Sequence, residues 1–409
     1  MNLRGIWRFE DNDAKATVTP LELFFDLVFV FALTQVTAYL ADHLNWHGVV
    51  QGLAIFGLLW WSWVCYAWVG NVVRADEGAS RFGLFTAMAA MLVLALTIPE
   101  AFDDLPGGLP GPVVIALCYL VFRATHLVLF WVISRGDHAL RRQTLRFVPS
   151  VVCSTILLLV AAMLDGWAQT VLWLAALLAD YGGNLLAGSN WRLRSVPHFA
   201  ERHGLVVIIA LGESIVAIGV GIAALPISWP IIVAATLGLV VSAALWWVYF
   251  DVTSLAAEHA LAAVPESDRP RVARDAYSYL HLPMVAGVVV LALGLKKVLE
   301  YVGDTAHHSL GDPLTGIGLY ALYGGVALYL LGHVAFKWRT MRLVVGTRIG
   351  LAVVLVAALP LVAQLPALAS LGILAAAMIA LNVVETAIHA EQRGRIRHGD
   401  ATPDGLGHT

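Results

Sequence analysis

The run PLELFFDLVFVFALTQ (residues 20–35) is apolar except for Glu22 and Asp26, two carboxylates four residues apart and therefore on one face of a helix. Asp180, Glu213 and Glu385 are further acids inside apolar runs, and Asn184 follows Asp180 at the same four-residue spacing. A charged side chain at the centre of a bilayer costs at least ~2.5 to 3.5 kcal/mol and normally faces a bundle interior. Against these acids the apolar runs set one guanidinium, Arg123, and the imidazoles of His126, His281 and His333. On that count the carboxylates outnumber the fixed cations, so some must hold a proton or a mobile cation. Burial without a partner disfavours the charged carboxylate, the condition for a group that takes up and releases protons. The chemistry indicated is ion or proton transfer along a pathway of Glu22, Asp26, Arg123, His126, Asp180, Glu213, Ser214 and Glu385. The competing reading is structural: Arg123 pairs with Asp26 or Glu213 and fixes helix register.

Membrane spans must position these residues. The 409-residue chain is 59% hydrophobic and 13% charged, with a mean hydropathy of +0.79, far from the ~25% charged composition of soluble domains. A span needs roughly 20 mostly apolar residues. Twelve stretches qualify, beginning near Pro20, Gly48, Phe82, Gly111, Phe147, Ala168, His203, Pro230, Arg274, Thr315, Gly346 and Ala367. Alternate loops then collect all 25 basic residues except Arg123, Lys296 and Lys297, which predicts that both termini are cytoplasmic. The polar segment 1–19 lacks the basic start and short apolar core of a signal peptide, so the first span is expected to direct insertion. Glu213 lies ten residues past His203, ~15 Å along a helix and near the midplane; Asp26 is expected nearer the cytoplasm.

The halves echo each other. Trp60-Trp61-Ser62-Trp63 answers Leu245-Trp246-Trp247-Val248-Tyr249, MLVLALT at 91–97 answers VVVLALG at 288–294, and His126 answers His333. Two six-span repeats of like orientation, 20–195 and 196–390, are therefore expected, flanked by cytoplasmic segments 1–19 and 391–409, with a pseudo-twofold along the membrane normal.

VTPLELFFDLVFVFALTQ (18–35) and HFAERHGLVVIIALGESIVAIG (198–219) resemble the two signature segments of the bacterial low temperature requirement A family, and the likeness extends over about residues 15–390. The resemblance implies an integral protein of the bacterial inner membrane, linked by name to growth in the cold, without fixing a molecular activity. Its matching positions are Glu22, Phe25, Asp26, His203, Gly212, Glu213 and Ser214. The aromatic-then-Asp pattern is also loosely similar to potassium channels with a Phe-Ser-Asp motif, but Phe25 replaces the serine and the upstream arginine is missing.

Other motifs say less. Asp42, His43 and His47, and likewise Asp304, His307 and His308, have spacings a metal could use, though exposed histidines are usually just solvated. Glu201-Arg202-His203 reads as a charge network at the entrance of the seventh span, and the tryptophans of the second span as an interface belt plus packing. Cys65, Cys118 and Cys153 have no disulfide or zinc spacing. No GxSxG, P-loop, GxGxxG or HExxH stands in a supporting context. The nearly balanced charge of −3 gives nucleic acid no handle.

The expectation is thus an all-α polytopic bundle of about twelve transmembrane helices, with the bilayer as partner and neither cofactor nor resident metal. It would serve protons or small cations as a transporter or permeation pathway. The alternatives are a membrane-embedded enzyme acting on a lipid-like substrate and a structural or sensory protein whose buried charges are all paired.

Overall fold

The computed structural model describes residues 17–72, 78–188, 191–223 and 225–388, and these form an all-α polytopic membrane bundle. The chain divides into two compact units between Arg202 and His203.

The first unit holds α1 (Pro20–Asp42), α2 (Trp46–Val72), α3 (Gly78–Thr97), α4 (Gly111–Ile133), α5 (His138–Ala161), α6 (Gly166–Ala187) and the opening turns of α7 (Val196–Ile222). Thr19 starts α1 with a capping box: its side chain accepts from the Glu22 amide, the Glu22 carboxylate accepts from the Thr19 amide, and Pro20 supplies a preset first-turn φ. That box fixes Glu22 at the mouth of the helix. The centre of the unit is α2, which packs against α1, α4 and α6. Trp60, Trp61 and Trp63 are at most 1% exposed, so these tryptophans are core packing and not an interface belt.

The second unit continues α7 and adds α8 (Trp229–Phe250), α9 (Thr253–Ala263), α10 (Arg269–Ala273), a π-helical turn (Arg274–Tyr279), α11 (His281–Gly303), α12 (Gly316–Met341), α13 (Gly346–Ala357), α14 (Leu359–Val362) and α15 (Ala367–Ile388). Its tightest pair is α11 with α12, because Gly287 and Gly294 lie two turns apart on the face turned to α12. A Cβ at Gly287 would stand 2.6 Å from the Gly325 carbonyl oxygen and the Tyr329 amide nitrogen, and one at Gly294 would meet the Leu322 backbone. Small residues here let two backbones touch.

Among the described residues, ten helical segments are long and apolar enough to cross a membrane. The sixth and eleventh of the twelve expected spans are not among them. In α6 the polar Gln169, Asp180 and Asn184 dilute the apolar run, and the eleventh is broken into α13 and α14 ahead of Pro360, whose ring cannot continue a helical hydrogen-bond ladder.

Candidate functional site

Glu22 and Asp26 meet a matched pair. Ser195 caps α7, accepting at its side chain from the His198 amide at 3.3 Å. Asn71 of α2 pins the preceding segment, donating to the Ser195 carbonyl at 2.6 Å and accepting from the Arg194 amide at 2.8 Å. The helix therefore starts at Val196, seven residues before the expected span. His198 and Arg202 become an i, i+4 pair on its buried face, while Glu201 is exposed and takes the Val18 amide at 3.2 Å.

The geometry of the quartet is closed. Arg202 Nη1 lies 2.5 Å from Asp26 Oδ2, and Trp63 Nε1 donates to Asp26 Oδ1 at 2.9 Å. Arg202 Nε stands 3.6 Å from Glu22 Oε1. The other oxygen, Glu22 Oε2, accepts from the Thr19 amide at 2.9 Å, the Thr19 hydroxyl at 3.0 Å and His198 Nε2 at 3.1 Å. All four side chains are at most 3% exposed. Three atoms of the quartet are buried with no hydrogen-bond partner: Glu22 Oε1, Arg202 Nε and His198 Nδ1. A Cβ at Gly70 of α2 would collide with Glu22 Oε1, so a glycine is what lets α2 close over the carboxylate.

Two further charge centres lie within the units. Arg123 of α4 donates to Asp180 Oδ1 of α6 at 2.8 Å, and Cys65 Sγ and the Tyr119 hydroxyl complete that cluster. Asp180 is thus the partner of Arg123 and Asp26 is not. His126 is buried three residues on, edge-on to Phe130. In the second unit Arg348 of α13 donates to Glu385 of α15 through Nη2 at 2.6 Å and Nε at 3.0 Å, and its Nη1 lies 2.6 Å from His333 Nδ1. His281 is satisfied on both nitrogens, by the Tyr249 hydroxyl at 2.9 Å and the Ala276 carbonyl at 3.2 Å.

Glu213 is 1% exposed on α7. Beside it, Ser214 Oγ donates to the Leu211 carbonyl at 2.6 Å and lies 2.7 Å from Ser242 Oγ.

These contacts correct the count of cations. Arg202 and Arg348, assigned from sequence to cytoplasmic loops, are 1% and 5% exposed, so Arg123 is not the lone guanidinium facing the acids. His198 and Arg202 had a sequence signal that hydropathy hides: Ser195-Val196-Pro197 is an N-cap followed by a first-turn proline.

The loop histidines diverge. His43 stacks on Tyr39, while His47 stacks on Trp167 and lies 2.8 Å from Thr170 Oγ1. His307 bonds Asp304 at 2.8 Å and His308 stacks on Tyr301. Those carboxylates are already engaged: hydrogen bonding from His307 holds the Asp304 carboxyl below its usual 3.8, and Ser309 does the same for Asp312. Among the described residues no three His, Cys, Asp or Glu side chains are grouped to hold a metal. An open groove of about 460 Å³ is lined by Pro20, Leu21, Phe24, Arg81 and Phe85, beside Glu22 without reaching it.

Comparison with known proteins gives three results. The family described as Bacterial low temperature requirement A protein (LtrA) matches residues 17–383. An uncharacterized protein of Rhizobium meliloti (strain 1021) is 28% identical over 351 residues, covering 81% of this chain and 80% of that protein. No solved structure matches.

Proposed function

Because the chain belongs to the bacterial low temperature requirement A family, an integral membrane family, we propose that it is a transporter or permeation pathway for protons or small cations whose ion-handling site is the Glu22–Asp26–His198–Arg202 quartet. One observation carries this reading: two carboxylates enclosed together face one guanidinium. With His198 neutral the quartet holds one uncancelled negative charge. Burying such a charge is expensive, and a single proton or monovalent cation removes it. Neither of the other two centres has a carboxylate in excess: Arg123–Asp180 is one guanidinium to one carboxylate, and Glu385 faces Arg348 with the Lys337 ammonium nearby. Those pairs favour a locking role, tying α4 to α6 and α13 to α15.

The setting proposed for this site is the bacterial inner membrane, with both termini cytoplasmic and twelve crossings in two six-span repeats, 20–195 and 196–390. Two parallels between the units support the repeat. The last helix of each donates a side-chain hydrogen bond to a carbonyl of the helix occupying the second span position: Tyr181 of α6 to Gly57 of α2 at 2.7 Å, and Asn382 of α15 to Ala244 of α8 at 3.1 Å. That last helix also carries the acid of a buried guanidinium pair, Asp180 in one unit and Glu385 in the other.

The test is gradient-driven flux in vesicles containing the purified protein, with a pH gradient in one arm and a potassium or sodium gradient in the other. Movement in either arm above protein-free vesicles supports the reading. Movement in neither sinks it.

A further inference from the structure

We propose that the ion taken up at the quartet is a proton, bound at His198 Nδ1, and that the site excludes metal cations; this rests on reading the quartet as the ion-handling site.

The hydrogen-bond pattern fixes the tautomer. Glu22 Oε2 accepts from the Thr19 amide, the Thr19 hydroxyl and His198 Nε2, at 2.9, 3.0 and 3.1 Å. An ionised carboxylate has only lone pairs to offer, so Nε2 carries the hydrogen in that bond. The neutral ring then keeps its lone pair on Nδ1, a buried atom with no partner. An incoming proton bonds to that lone pair and leaves its donor water as hydroxide or a hydronium as water. No bond within the protein breaks, and the product is an imidazolium bonded to a carboxylate. The quartet then carries two positive and two negative charges.

The described charged groups facing His198 all belong to this set: Glu22 and Asp26 from α1, and Arg202 from the next turn of α7. The face of α2 packed against them contributes Trp63, Gly70 and Asn71, none of which titrates in this range. Glu201 is exposed and bonded to the Val18 amide. Nothing else described near the ring competes for the proton.

A metal cation would find poor lodging. Hard cations take roughly six or more oxygen ligands, and the quartet leaves one carboxylate oxygen unengaged, Glu22 Oε1. Arg202 Nε stands 3.6 Å from that oxygen and its charge repels any ion placed there. Both oxygens of Asp26 are occupied, by Trp63 and Arg202. A proton needs one lone pair, and His198 Nδ1 provides it, whereas the lone pairs of Glu22 Oε1 face the Arg202 guanidinium.

The experiment is a pH titration of the full-length protein in lipid nanodiscs by infrared difference spectroscopy, following imidazole bands as the difference between the parent and His198→Gln. Glutamine keeps an N–H for Glu22 Oε2 and removes the titration. Glu22→Gln serves as a second variant should the first fail to fold. It removes the opposing charge, so proton affinity at His198 should fall about tenfold or more. The expected result is a His198 step in the parent, superimposed on the steps of the exposed histidines that both variants share, absent from His198→Gln, displaced to lower pH in Glu22→Gln, and unmoved when sodium or potassium replaces choline at constant ionic strength. A titration identical in the parent and both variants, or a His198 midpoint that sodium or potassium displaces by competition, would overturn the proposal. The titration needs no flux, so the two failures separate: an intact step with no ion movement defeats the transport reading, and cation movement with no step defeats the proton site.

Discussion

Arg202 Nη1 lies 2.5 Å from Asp26 Oδ2, joining residues 176 apart in sequence in a contact at most 3% exposed on either side. Through this contact and the one from His198 to Glu22, an i, i+4 acid pair on α1 meets an i, i+4 basic pair on α7 turn for turn.

Removing Arg202 should do more damage than removing its partners. Arg202→Ala strands two buried carboxylates, with a loss on the order of 3–5 kcal/mol expected for a broken buried pair. Adding Glu22→Gln and Asp26→Asn to it should recover part of that loss, because amides leave no charge to strand. Thermal unfolding in detergent of the single and triple variants measures it, and a triple variant less stable than the single would contradict the pairing.

The Arg123–Asp180 pair predicts selective rescue. Arg123→Gln should be partly restored by Asp180→Asn and left unrestored by Asp26→Asn, since Arg123 contacts Asp180 and Asp26 is held by Arg202. A double-mutant cycle should give a coupling of about 0.5–3 kcal/mol for the first combination and close to zero for the second.

Much of this was written in the sequence in plain form. Carboxylates inside an apolar run cannot hide, so Glu22, Asp26, Asp180, Glu213 and Glu385 were legible, as was Arg123, twelve residues inside its span. Their partners were not. Hydropathy places a helix where it becomes apolar, whereas α7 begins at Val196 under the Ser195 cap, so His198 and Arg202 lay in what hydropathy counts as loop. Arg348 was lost differently: the expected eleventh span and α13 both begin at Gly346, and counting Arg348 with the cytoplasmic arginines removed it from the buried cations. Counting loop arginines for topology and counting buried cations for acid pairing draw on the same residues, and the first use concealed the second. The tryptophans of α2 show the converse limit: composition cannot tell a lipid-facing belt from a core, and packing by α1, α4 and α6 decides it.

Glycine spacing supplies a packing test. Gly294→Ala should destabilise by about 1–3 kcal/mol, as overpacking does, because its Cβ would meet the Leu322 backbone. Gly324→Ala on α12, with nothing within 4 Å of its Cβ, should change stability by no more than about 1 kcal/mol. Equal effects in thermal unfolding would refute the close α11–α12 approach.

The Asp304 to Asp312 loop should respond to acid with a definite sign. Both carboxyls are held below their usual 3.8 by hydrogen bonds, from His307 and from Ser309. A depressed carboxyl favours the folded loop above the unfolded value and loses that contribution as pH falls through the folded value. Amide protection across residues 304–312, with exchange corrected for its intrinsic pH dependence, should therefore fall below about pH 3.8, and Asp304→Asn together with Asp312→Asn should abolish the change. Protection that rose on acidification would reverse the assignment.

The central claim is that the quartet passes a proton, and vesicles containing the parent protein or its Glu22→Gln and Asp26→Asn variants, compared under an imposed pH gradient, measure it most directly. Proton movement in the parent should exceed that of protein-free vesicles and fall several-fold in each variant, with all three proteins inserted to the same level. Parent vesicles no leakier to protons than empty ones, or variants that match the parent, would contradict it.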